Sequence, residues 1–253
     1  MTDSELKSFL DEKFEQYAQP EFFIPTDPIQ VPLSFEEEKD REIAGFLTAL
    51  ISWGQRKTII HNAKLWMQLM DDSPYQFMMH AKDNDFERFK ILKHRTLNGE
   101  DASFISSRLS RLIKLHGSID RFMQQFPGGL KEKLQGLHHF FVYENTPQRS
   151  TKHLANPAKG SAAKRLCMYF RWMVRGSMPG IDYGNWTCLN TADLMLPLDT
   201  HTASVSRKLG LLSRKQNDWK AVEEVTEKLR TLDPTDPVKY DYALFGLGAF
   251  EKF

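Results

Sequence analysis

LPLDTHTASVSRKLGL, Leu196 to Leu211, decides how this chain is read. An apolar run ends at Leu198, a helical pattern begins near Thr200, and Gly210 stops it, as glycine does just past a helix end. Asp199 stands at the seam, where an aspartate accepts backbone N–H groups of the first turn and gains from the helix dipole. Such donors keep a carboxylate ionised, so a capping aspartate can also stabilise a developing cation or shuttle a proton. Capping and chemistry are compatible roles for one residue.

Working outward, the same 3.6-residue periodicity recurs and sustained strand alternation is absent. Helices are expected over 3–18, 36–53, 56–70, 73–80, 84–93, 102–115, 118–125, 128–145, 161–175, 200–209, 218–231 and 237–248. The fold class is all-α. Ser34 and Glu37 give S-x-x-E, a capping box for the helix leading into EIAGFLTALI. Asp236-Pro237 places an N-cap before a proline at the first helical position. QPEFFIPTDPIQVPL, 19–33, reads as an extended strap, and 176–198 as a long loop packed by Trp186 and LMLPL. One globular unit of two helical lobes is expected, a central lobe near 55–160 and a second from 1–54 and 161–253.

Composition narrows the function classes. The 253 residues carry a net charge of +1 and 41% hydrophobic residues, which excludes a mainly disordered chain. Residues 1–40 hold eleven acids and three lysines, a net of −8, whereas 151–216 hold ten Lys or Arg and three Asp, a net of +7. A basic segment of that kind favours a phosphate-bearing partner. The two cysteines, Cys167 and Cys188, cannot build a zinc or iron–sulfur site, and with no signal peptide or membrane span they fit a cytoplasmic location. No metal spacing, P-loop, GxGxxG or GxSxG occurs, so no cofactor is expected.

Upstream lies GSAAKRLCMYFRWMVR, Gly160 to Arg175. At 100° per residue, Ala162, Leu166, Tyr169 and Met173 form a core face, and Lys164, Met168, Arg171 and Arg175 form an opposite, basic stripe. Gly160 and Ser161 would open the helix with uncapped N–H groups, a place for phosphate. Lys164 stands in the first turn, with Arg165 beside it.

These stretches together resemble the helix-hairpin-helix superfamily of base-excision DNA glycosylases: a helix start, a lysine, then LDTHTASVSR with its aspartate opening a later helix. Four stretches, 40–59, 161–175, 194–212 and 236–248, also resemble an uncharacterised bacterial family related to those enzymes. The resemblance implies a two-lobed helical fold acting on damaged bases in DNA, with lyase activity through a lysine amine. It makes Lys164 the nucleophile for the sugar C1′ and Asp199 its partner, with His201 and Arg207 structural. It places Gln55 where a polar side chain enters the base stack, and Gly160, Ser161, Arg165, Arg171 and Arg175 along the nucleic acid. Trp53, Trp172 and Trp186 are either core residues or walls of a base pocket.

The chain departs from that pattern at named places. NPAKGSAAK has one glycine where the hairpin has two, so Lys152 and Lys159 compete with Lys164 as the hairpin lysine. Lys164 and Asp199 stand 35 residues apart, more than in those enzymes, and the four C-terminal cysteines of their cluster-bearing branch are absent. Two other classes therefore stay open, a nucleic-acid-binding module without chemistry and a helical scaffold in which Asp199 is only a cap.

Overall fold

The computed structural model describes residues 1–142, 146–176 and 180–253. Fourteen α-helices follow one another among them. They are α1 (Asp3–Tyr17), α2 (Pro20–Phe23), α3 (Gln30–Leu33), α4 (Glu38–Leu50), α5 (Arg56–Gln68), α6 (Pro74–His80), α7 (Gly99–His116) and α8 (Ile119–Gln124). Then come α9 (Leu130–Phe141), α10 (Gln148–Thr151), α11 (Lys164–Val174), α12 (Thr200–Lys208), α13 (Trp219–Leu232) and α14 (Tyr240–Ala249). No strand forms among the described residues, only two isolated bridges, so the protein is all-α. Among the described residues no helix is long and apolar enough to cross a membrane.

Most helices fall where the periodicity puts them. The differences have local causes. Residues 19–33 are not extended: α2 starts on Pro20, and Pro25 and Pro32 fall in the first turns of a 3₁₀ turn at Ile24–Thr26 and of α3, where no intrahelical N–H donor is needed. Asp83–Ile91 is 3₁₀ rather than α. Ser34 ends α3, its Oγ donating to the Val31 carbonyl, so the expected capping box is absent and α4 starts after Glu37 with no side-chain cap. The ends of the expected helix 128–145 and loop 176–198 include 143–145 and 177–179, outside the described residues.

The chain forms two compact units. One comprises 24–128 and 132–155. Here α4 packs on α3, α5 and α6, so 24–54 joins this unit rather than the second lobe expected for it. Phe46 and Phe141 meet at 5.7 Å in its core, and the Trp66 indole donates to Ser106 at 3.1 Å. Asn98 caps α7 in a reciprocal box with Asp101.

The other unit comprises 1–23, 129–131 and 156–253. It is assembled on α14, which packs against α1 and α12. Gly246 makes the first contact possible, because a Cβ there would lie 2.1 Å from the Tyr17 ring. Gly248 does the same for α12, where a Cβ would meet His201 at 3.0 Å. These close approaches fix the end of α14 against α1 and the start of α12, within the unit that also holds α11.

Candidate active site

The backbone before α11 is not an open helix start. Asn156 accepts the Ala158 amide, Pro157–Lys159 forms a 3₁₀ turn, and Gly160 leaves it with φ +83°. The Gly160 amide donates to Pro157 O at 2.9 Å and the Ser161 amide to Asn156 O at 3.3 Å. The two N–H groups expected to hold phosphate are thus consumed within the turn, which corrects that reading. Ser161 Oγ accepts the Ala163 amide, and Ala163, left-handed at φ +50°, turns the chain so that Lys164 is the first residue of α11. A left-handed alanine stores strain immediately beside the candidate nucleophile.

From Leu166 to Arg175 every side chain of α11 and its C-cap is buried, so the helix has no basic face. Arg171 and Arg175 are each 3% exposed, and the expectation that they line a nucleic acid is corrected. Their partners come from other segments. Arg171 Nε donates to Asp182 at 3.3 Å, its second nitrogen pairs with Asp241, and its guanidinium covers the Tyr242 ring at 4.3 Å. Arg175 donates to Asp182 at 3.0 Å and to Asp236 at 2.9 Å. Asp236 therefore serves Arg175 instead of capping the segment it precedes. Two guanidiniums inside a helix enclosed on all sides require carboxylates, because an unpaired buried charge is strongly destabilising.

The amine of Lys164 is half-buried at the edge of this network. Its hydrogen-bond contact is the thioether of Met168 at 3.7 Å, a weak acceptor, and it makes no salt bridge among the described residues. Arg165 is half-buried, and burial lowers its guanidinium to about 10. Cys167 is fully buried, and burial together with the nearby Asp241 charge pushes its thiol up, so it is inert.

Asp199 caps α12 as expected. Its Oδ1 accepts the His201 and Thr202 amides at 2.8 and 2.9 Å and the Thr202 hydroxyl at 3.2 Å. Thr202 Oγ1 accepts the Asp199 amide in return. The three bonds that the carboxylate accepts fall on Oδ1, and the residue is half-buried. Arg207 is structural: it donates to the carbonyls of Arg214 and Lys215 and to Asn217.

Asp241 connects the two candidates. It lies on α14, 8% exposed, and burial raises its carboxyl to about 6. Arg171 opposes that rise, the Asp199 charge adds to it, Lys164 opposes it and Asp182 adds to it. The Arg171–Asp241 pair ties α11 to α14, and α12 packs along α14. Asp182 and Asp241 were not singled out from the sequence. The one local signal for them is that Arg171 and Arg175 stand among Tyr169, Phe170, Trp172, Met173 and Val174, large apolar residues that favour burial and so call for acids elsewhere.

Gln55 belongs to the unit of 24–128, where it is exposed at the N-cap of α5 with no side-chain cap bond. Trp172 is wholly buried, and Trp186, 6% exposed, packs edge-on against Tyr169 and Phe170 at 5.0 and 5.2 Å. Both are core residues. Trp53 is half-buried, with His94 against its edge at 4.9 Å and His153 stacked at 6.2 Å.

No curated protein and no solved structure matches the chain. Residues 27–250 match the family described as Protein of unknown function (DUF2400), a span that includes Lys164, Asp199 and Asp241. With most of its length matched, the chain belongs to that family of unknown function.

Proposed function

We propose that this protein is a DNA-repair enzyme of the base-excision type, a two-lobed helical relative of the helix-hairpin-helix glycosylases. The observation that carries the reading is that α14 ties together the helices opened by Lys164 and by Asp199: its Asp241 pairs with Arg171 of α11, and α12 packs along it. Catalytic groups have to converge on one reacting centre. In the proposed reaction a damaged nucleotide leaves the duplex, and the free amine of Lys164 attacks C1′. The bond from C1′ to the base breaks, the base leaves with the bonding electrons and takes up a proton, and the amine gives up its own. Asp199 stabilises the cation-like sugar through the oxygen that the cap does not use. The C1′–O4′ bond then breaks, O4′ takes up a proton and an imine is left; a base removes the C2′ proton, and the 3′ phosphate departs with the C3′–O electrons, which cleaves the strand.

Borohydride reduces such an imine to a stable amine, so trapping on lesion-bearing and abasic duplexes tests the reading. An adduct formed by the wild type and lost in Lys164→Gln is expected. An adduct kept in Lys164→Gln but lost in Lys159→Gln or Lys152→Gln would move the nucleophile. Salt-sensitive binding with no adduct would favour a binding protein or a glycosylase that uses no amine nucleophile, and absence of both would leave a helical scaffold.

A further inference from the structure

A turn, 213–218, is built against the segment that precedes Lys164. Arg207 holds its middle through the Arg214 and Lys215 carbonyls, each at 2.9 Å, and Asn217 at 2.6 Å. Its end is tied to the 3₁₀ turn before α11: the Trp219 amide donates to Gly160 O at 3.2 Å, and Ser161 and Asp218 form an antiparallel bridge. Lys159 and Lys220 flank that junction from its two sides, and Lys215 stands on the turn it anchors. All three are exposed, and none makes a salt bridge among the described residues.

The acids nearby are already engaged. Asp218 is bonded by Arg214 at 2.7 Å and by the Ala221 amide, Glu223 by Lys131 at 3.1 Å and the Trp219 indole at 2.6 Å, and Glu224 by the amide and hydroxyl of Ser213. Their charges are compensated while the three lysines stay uncompensated. Lys220 lies in the first turn of α13, where the helix dipole opposes a cation. The fold gains nothing from these amines, and an anion would.

We propose that Lys159, Lys215 and Lys220 form a ridge that contacts the phosphates of a nucleic acid beside Lys164, held in register by Arg207. The ridge takes over the phosphate contacts that the Gly160 and Ser161 amides, bonded within their own turn, do not make. A membrane surface fits less well, since an interfacial site also inserts apolar side chains. The exposed large apolar residues among those described, Met1, Phe22, Ile91, Leu115, Phe250 and Phe253, lie outside both segments. The proposal rests on the nucleic-acid reading above.

The test is anisotropy of a fluorescent duplex carrying a tetrahydrofuran abasic analogue, titrated with full-length protein over a salt series. Each phosphate contact contributes about 0.9 to the slope of log K against log salt. Lys159→Gln/Lys215→Gln/Lys220→Gln should therefore flatten the slope by about 2 to 3 and weaken low-salt binding at least about tenfold. The double variant Lys64→Gln/Lys82→Gln, exposed lysines of the other unit, should keep the wild-type slope. Exposed Lys→Gln changes leave the melting temperature in place, so a lost slope reports contact and not unfolding. A triple variant with wild-type slope overturns the ridge and leaves the borohydride test of Lys164 standing. A wild type that binds no duplex overturns both. A flattened slope alongside a wild type that gives no adduct supports the ridge and overturns Lys164 as the nucleophile.

Discussion

Asp101 and Asp241 are both buried, each inside its own unit, and their carboxyls move in opposite directions. Burial pushes Asp101 up, but the Asn98 amide, the Ser150 hydroxyl and the charges of His153 and Arg149 outweigh it, and the carboxyl stays below its ordinary range. Four donors surround that one group: Asn98 N–H at 3.1 Å, Ser150 at 2.7 Å, Arg149 at 3.0 Å and His153 at 3.2 Å. Asp241 has Arg171 as its ion-pair partner, while Asp199 and Asp182 repel its charge, and burial carries it to about 6. The difference lies in how fully each anion is solvated by protein donors. A saturated carboxylate is a staple. One left short of donors among like charges marks a place where the fold has concentrated charge at its own expense, as functional sites do.

The hardest test of that contrast is Arg171→Met. It removes the guanidinium shared by Asp182 and Asp241 and leaves buried anions behind, so a loss of about 3–5 kcal/mol in urea unfolding is expected. A loss under about 1 kcal/mol would mean that the network is solvated and the contrast false.

Asp101→Asn should come next, at about 3 kcal/mol near neutral pH, because several donors lose an ionised acceptor. Here the folded carboxyl sits below its unfolded value, so its contribution is present above about pH 4 and is lost as pH falls through the folded value. Wild type and variant should converge in acid. A gap that stays constant down to the acid transition would show that Asp101 is not the ionised staple described.

Asp241→Asn carries the opposite sign. The folded state holds a proton on Asp241 up to about 6, against an ordinary value of 3.8. That contribution is fully present below about pH 4 and is lost as pH rises through about 6. The variant should therefore gain on wild type between pH 4 and 7, by at most about 3 kcal/mol and less any weakening of the Arg171 pair. A relative loss over that interval would place Asp241 with Asp101, as a second staple.

What the sequence could show follows the range of its signals. Helix periodicity and the Asp199 cap depend on neighbours within one or two turns, and α12 with its reciprocal Thr202 bond stands where LDTHT puts it. The ionic core was hidden because Arg171 finds Asp241 seventy residues away. A helical wheel shows which residues share a face, but not that a second segment covers the opposite one. For α11 it assigned to solvent a face that Asp182 and α14 enclose. Gly160 and Ser161 misled for a related reason: a lone glycine before a helix marks a bend, and here the 3₁₀ turn before it had already used both amides.

The smallest expected effect on stability bears most directly on function. Asp199→Asn keeps a carbonyl oxygen for the His201 and Thr202 amides, so the cap survives and the loss should stay below about 1 kcal/mol. Removing the Asp199 charge also removes one cause of the rise at Asp241, so the Asp241 carboxyl should titrate below about 6 when followed by carboxyl NMR. An unmoved midpoint would separate the two carboxylates and remove the convergence on which the active site rests. If the midpoint falls and borohydride trapping is lost while stability is kept, the Asp199 charge acts on substrate. If the midpoint falls and trapping persists at the wild-type rate, Asp199 is a cap that merely lies near Asp241, and Lys164 works without it.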